Sequence, residues 1–258
     1  MSAQVGIVLL FPDLLGTYGD SGNAVILAQR LRWRGFGADV HTVLSGQDVP
    51  DSAEFYVMGG GEDLPQALAA RQLGRSGPLH RAVDTGAAVL AVCAGLQILG
   101  TSFVGPDGAE TDGLGLVDCR SVRGRGPRAV GELVVEPAPD SGVEVPTGYE
   151  NHGGVTVRGP SLAPAARVRS GVGNGDRTDG FRAGRIWATY LHGPVLARNP
   201  TLADWLIASA LGDDAVAQPL DDRASAALRQ ERLEAAATNA SPARASRRRI
   251  LAAGPWRR

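Results

Sequence analysis

The sequence predicts an α/β protein built on a mainly parallel sheet flanked by helices. Three observations carry this expectation. Residues 5–10, 55–58 and 88–92 are short runs that are apolar throughout, the composition of strands covered on both faces. Between the first two, residues 24–33 carry Val25, Leu27, Ala28 and Leu31 near helical spacing. The runs also end on turn-forming residues: Phe11-Pro12, Gly59-Gly60-Gly61, and Cys93-Ala94-Gly95. Strand, helix and strand in this rhythm imply right-handed crossovers and a parallel sheet.

In order, residues 5–10 give the first strand, a polar glycine-rich loop runs over 13–23, and the helix at 24–33 stops at Gly35 and Gly37. Strands follow at 39–44 and 55–58, helices at 63–71 and 79–84, then the strand at 88–92 with a helix behind it. Residues 101–103 and 113–117 suit short strands and turns. From there the alternation of strand and helix fails. Residues 131–136, 155–157 and 186–190 read as antiparallel strands added to the sheet's edge, with long surface loops over the Pro/Gly-rich 137–180. A helix is expected over 199–211, with Asn199 as its N-cap and Pro200 at its first position, and another over 222–238. Residues 1–212 therefore read as one domain, and 213–258 as a C-terminal helical extension whose tail carries Arg247-Arg248-Arg249 and Arg257-Arg258.

The 258 residues, 43% of them hydrophobic, are enough for one large core. No run of about 18 apolar residues occurs, so no transmembrane segment is expected. The start, Met1-Ser2-Ala3-Gln4, lacks the basic beginning of a secretion signal, and a cytoplasmic protein is expected. A net charge of −1 argues against a nucleic-acid surface over the body of the chain. Two cysteines, Cys93 and Cys119, are too few for a disulfide framework, and neither has partners at zinc-site spacing, so no metal is expected. The sequence has no lysine; all 26 of its Lys+Arg residues are arginine. Schiff-base, Walker and kinase-type lysine chemistry are thereby excluded, and ATP-dependent activation is expected on another chain.

The focus of the sequence is Ala88-Val89-Leu90-Ala91-Val92-Cys93-Ala94-Gly95-Leu96-Gln97, a buried strand running straight into a helix with a cysteine at the junction. Unpaired N–H groups at a helix start favour a thiolate and can hold an oxyanion. Of four histidines, His41 lies in a strand pattern and His80 opens a helix, so both read as structural or exposed. His192 follows an apolar strand and precedes Gly193-Pro194, a place from which it can face the cysteine. His152 is its rival and reads as a wall of the site or a structural residue.

This elbow, together with Tyr18-Gly19-Asp20-Ser21-Gly22-Asn23, Gly59-Gly60-Gly61-Glu62-Asp63, Gly148-Tyr149-Glu150-Asn151-His152-Gly153-Gly154 and Tyr190-Leu191-His192-Gly193-Pro194, resembles the class I glutamine amidotransferases. The resemblance narrows to the cobyric acid synthase type, and within it to amidotransferase subunits of lipid II isoglutaminyl synthases. It implies a flavodoxin-like class I glutamine amidotransferase fold, with Cys93 as nucleophile and His192 as base. It also implies backbone oxyanion donors from Gly60 or Gly61 and from Ala94, and Arg128 and Gln97 on the substrate. A guanidinium suits the glutamine α-carboxylate because it binds bidentately; Arg120, Arg123 and Arg125 crowd the same stretch. Many class I members carry a glutamate two residues after the histidine, where this chain has Pro194, and Asp20 and Glu150 are the candidate orienting acids.

The resemblance further implies a glutaminase subunit that needs no cofactor of its own. It would form a heterodimer with a Mur-ligase-like subunit holding ATP and Mg, and pass ammonia to it. That partner would amidate the D-glutamate α-carboxylate of the lipid II stem peptide at the inner face of the membrane. The alternatives are a glutaminase serving another synthetase of corrinoid or cofactor biosynthesis, and a non-catalytic scaffold domain. A peptidase or deglycase of related fold is disfavoured by Ala94, where that group carries histidine.

Overall fold

The computed structural model of the chain describes residues 4–74, 77–105 and 107–240. The basic tail read at 247–249 and 257–258 lies outside these residues. The first half holds β1 (Gln4–Leu10), α1 (Gly22–Trp33), β2 (Gly37–Val43), β3 (Phe55–Met58), α2 (Asp63–Leu73), α3 (Pro78–Asp84), β4 (Ala88–Val92) and α4 (Ala94–Leu99). An all-β stretch follows: β5 (Ser102–Val104), β6 (Glu110–Asp112), β7 (Cys119–Arg123), β8 (Ala129–Pro137), β9 (Thr147–His152), β10 (Gly154–Arg158), β11 (Ala166–Ser170) and β12 (Thr178–Asp179). The described chain ends with β13 (Phe181–Ala183), β14 (Ile186–Thr189), α5 (Val195–Arg198), α6 (Pro200–Leu211) and α7 (Arg223–Ala240).

The central sheet has the order β13-β14-β4-β3-β1-β2. All its pairings are parallel except β13 with β14, which supplies the antiparallel edge. β3 and β4 are buried at every residue, which is why their sequences show no alternation. On one face α1 buries Ala24, Leu27, Ala28 and Leu31; α6 lies against β4, with Trp205 edge-on to Trp187 of β14 at 5.1 Å.

The second half corrects several expectations. β14 is parallel to β4 rather than antiparallel, because the chain leaves the sheet after β4 and returns to the same edge in the same direction. The strands expected at 131–136 and 155–157 do not join the central sheet. They belong to two inserted four-stranded sheets, ordered β12-β11-β8-β9 and β10-β7-β5-β6. The loops read over 137–180 contain β9, β10, β11 and β12. Residues 113–117 form no strand: the amides of Leu114, Gly115 and Leu116 bond instead to the carbonyls of Ile98, Gly100 and Leu99, wrapping the end of α4. Asn199 precedes α6 but makes no side-chain cap bond; its amide group is spent on the backbone of Thr147 and Val195, tying α6 to β9. Among the described residues no helix is long and apolar enough to cross a membrane.

Candidate active site

Cys93 stands at the end of β4 with φ 51° and ψ −103°, a backbone conformation that non-glycine residues rarely adopt. The surroundings hold it there. Its N–H bonds to Thr189 O at 2.9 Å, its carbonyl accepts Gln97 N at 3.0 Å, and Gly95 N bonds to Gly59 O at 3.1 Å. Gly95 has to be glycine for this turn to close on β3, since a Cβ there would lie 2.8 Å from Met58 Cβ. Cys93 is 7% exposed and lines a cavity of about 300 Å³. Burial, and secondarily the Asp118 charge, push the Cys119 thiol up to about 12, so this second cysteine stays protonated and inert.

His192 is buried beside the elbow. Its Nδ1–H donates to Asp20 Oδ2 at 2.7 Å, while Nε2 makes no hydrogen bond among the described residues. Burial works to lower the ring's pKa, but the Asp20 hydrogen bond and the adjacent Cys93 overcome it and raise it to about 10. Asp20 is fully buried and accepts two further bonds, from Gly60 N at 2.9 Å and Gly193 N at 3.2 Å. The acid therefore comes from the loop after β1, not from the position that Pro194 occupies. Glu150 is engaged elsewhere: it takes Val172 N at 2.8 Å, Gly173 N at 3.0 Å and His152 Nε2 at 3.1 Å.

Three glycines make room for this loop. A Cβ on Gly59 would lie 2.2 Å from Leu15 O, one on Gly61 2.5 Å from Leu14 O, and one on Gly60 2.4 Å from His192 Cε1. Of the two expected oxyanion donors in the loop, Gly60 has its N–H committed to Asp20. The amides of Gly61 and Ala94 have no hydrogen-bond partner among the described residues, and Gly61 lines the Cys93 cavity.

Gln97 and Arg128 line the same cavity. Gln97 is held at both ends, accepting from Gln66 at 2.9 Å and donating to Tyr190 Oη at 3.2 Å. Arg128 donates through Nε and Nη2 to Asn151. Asn151, which lines the cavity with Arg128, also bonds to Tyr18 Oη, and the Tyr18 ring stands edge-on to His192 at 4.9 Å.

His152 also lines this cavity and stacks on Tyr190 at 3.9 Å. Nδ1 faces Gly154 O at 2.7 Å and Nε2 faces Glu150, so the ring is fixed by acceptors on both sides. It is a wall of the site. His41 is exposed and His80 bonds to Leu114 O at 3.0 Å, both apart from Cys93. Sequence reasoning missed Tyr190, Thr189 and Asp179, which hold the elbow and the histidine strand in place; the Tyr-Leu-His-Gly-Pro motif contained only the first.

The chain is 33% identical over 211 residues to the lipid II isoglutaminyl synthase (glutamine-hydrolyzing) subunit GatD of Staphylococcus aureus, spanning 80% of this chain and 84% of that protein. The protein of the same name from Streptococcus pneumoniae is 29% identical over 212 residues, 81% of each chain. The cobyric acid synthase of Sphingopyxis alaskensis is 33% identical over 178 residues, which are 67% of this chain and 35% of that longer one. A crystal structure of a glutamine amidotransferase superposes with a TM-score of 0.54 at 22% identity, over 79% of this chain and 98% of that one, and so shares the fold. The model of the CobB/CobQ-like glutamine amidotransferase domain matches residues 6–200. That span runs from β1 to the start of α6 and contains Asp20, Gly61, Cys93 and His192, and this chain belongs to that family.

Proposed function

We propose that the chain is the glutaminase subunit of a two-chain lipid II isoglutaminyl synthase, hydrolysing L-glutamine through a thioester on Cys93. The observation that carries the chemistry is the buried chain from Asp20 through His192 toward Cys93, beside the Gly61 and Ala94 amides, which have no partner among the described residues. In this reading the Cys93 thiolate attacks the side-chain carbonyl carbon of glutamine, with Gly61 and Ala94 N–H groups receiving the oxyanion. The imidazolium of His192 protonates the departing nitrogen, and ammonia leaves. His192, now neutral, takes a proton from water, which attacks the thioester and frees glutamate. Asp20 holds the ring's tautomer and its cation throughout. Arg128, braced by Asn151, receives the α-carboxylate, and Gln97 and His152 form the wall.

The choice of acceptor rests on likeness to the two isoglutaminyl synthase subunits. The ammonia passes to a cytoplasmic Mur-ligase-like partner that binds ATP and Mg and amidates the D-glutamate α-carboxylate of the lipid II stem peptide. The absence of lysine fits a chain that leaves ATP chemistry to its partner. The test is glutamate release from glutamine by the purified chain, alone and with that partner, in wild type and Cys93→Ala. Release that disappears in the variant and rises with the partner is expected. No release by the folded wild type under either condition would remove the glutaminase reading. Release stimulated only by a corrinoid-type synthetase would transfer it to that pathway class.

A further inference from the structure

We infer that Asp179 is a positioning residue, a buried carboxylate that ties an inserted sheet to the point where Cys93 and His192 meet. Its main chain belongs to β12, paired with β11 at Ala166, and the residue is 1% exposed. That side chain reaches out of its own sheet to the end of β14. Oδ2 accepts the Thr189 hydroxyl at 2.5 Å and Oδ1 accepts Tyr190 N at 3.1 Å.

Thr189 makes this contact matter for the site. Its carbonyl accepts Cys93 N at 2.9 Å, and its hydroxyl oxygen accepts Leu191 N at 3.0 Å. One buried residue therefore fixes the strained cysteine through its backbone and begins the turn that carries His192 through its side chain. With its proton given to Asp179, the hydroxyl presents a lone pair to Leu191, so the carboxylate sets the direction of both bonds. Asn174 secures the other side by donating to Gly180 O at 2.8 Å. A Cβ on Gly180 would lie 1.7 Å from Ala188 O, so the β12–β13 turn sits directly on β14. Burial raises the Asp179 pKa to about 6, opposed by the hydrogen bonds it accepts from Thr189 and Tyr190.

The inference rests on the proposed Cys93–His192 chemistry, so its test reads the thiol independently of glutamine turnover. Asp179→Asn, Thr189→Val and Thr189→Ser are compared with wild type in the full chain, with the folded fraction checked by thermal melting. The readouts are kcat and KM for glutamine and the rate of Cys93 alkylation by iodoacetamide. Asp179→Asn and Thr189→Val are expected to lower kcat about 10- to 100-fold with KM changed less than about threefold, and to slow alkylation, since small misplacements of reacting groups cost rate rather than affinity. Thr189→Ser, which keeps the hydroxyl, is expected to restore both rates. Unchanged alkylation in the first two variants, loss of rate only in proportion to the folded fraction, or equal damage from serine and valine would overturn the inference. If Asp179→Asn does not fold, the two Thr189 variants carry the comparison. A wild type that alkylates but releases no glutamate removes the glutaminase reading and leaves this test intact.

Discussion

A Cβ on Gly60 would stand 2.4 Å from His192 Cε1 and 3.4 Å from Asp20 Oδ2. The glycine is therefore the space into which the imidazole fits, and its N–H is one of three donors that hold Asp20 in place. Gly60→Ala is expected to lower kcat about 100-fold by displacing the ring, at a cost of about 1–3 kcal/mol in stability. Steady-state kinetics beside a denaturant melt would check it; a kcat within twofold of wild type would show that the ring tolerates the methyl. Asp20→Asn acts on charge instead. The His192 pKa stands at about 10 in the folded chain against 6.5 for the free side chain, so the imidazolium persists into alkaline solution. A raised folded value contributes stability that is complete below about 6.5 and is lost as pH rises through about 10. Removing the Asp20 charge is expected to lower kcat about 10²- to 10⁴-fold and to draw the alkaline limb of the kcat/KM profile downward. The stability difference between variant and wild type should shrink above pH 10. An alkaline limb unmoved in Asp20→Asn would separate Asp20 from the proton transfer.

The elements of the first half were legible because their signals are local. β3 and β4 are apolar at every position because both faces are covered, and α1 shows its buried stripe at helical spacing. The elbow was legible for the same reason, being strand, cysteine and helix in unbroken sequence. The second half was not. β14 is an apolar run that reads the same in either direction; its parallel pairing follows from where the chain re-enters the sheet, after more than eighty residues. β11 alternates, with Ala166 buried and Arg167 and Arg169 exposed, but the prolines and glycines around it gave that stretch the composition of a loop. The same masking hid Asp179. Asp20 and His192 are 172 residues apart, and no periodicity links them. Asp20 entered as a candidate only through a family motif, and geometry separates it from Glu150, which a sequence reading could not rank below it. One inserted sheet, β12-β11-β8-β9, carries His152 on β9 to the wall of the Cys93 cavity and Asp179 on β12 to the end of β14.

At the scale of the whole chain, the open question is whether residues 213–258 form an extension separate from the domain at 1–212, as we propose from the sequence. Two ionic ties cross that boundary among the described residues. Arg30 of α1, its side chain 4% exposed, holds Asp204 of α6 at 2.8 Å and Asp222, just before α7, at 2.5 Å. Arg229 of α7 pairs with Glu144, which precedes β9. Asp204 also has Arg34 at 2.9 Å, so loss of Arg30 would leave Asp222 as the carboxylate without a cation. Asp204 and Asp222 are 26% and 29% exposed, and water therefore softens the penalty of an unpaired charge. Arg30→Met is accordingly expected to cost about 2–3 kcal/mol, and Asp222→Asn less, because Arg30 keeps Asp204. Hydrogen exchange gives the decisive distribution. If the extension is a unit of its own, α7 amides in Arg30→Met should open at a lower free energy than in wild type, while those of β4 change little. Amides of α7 and β4 that open together in both proteins would join residues 213–240 to the cooperative core and erase the boundary at 212.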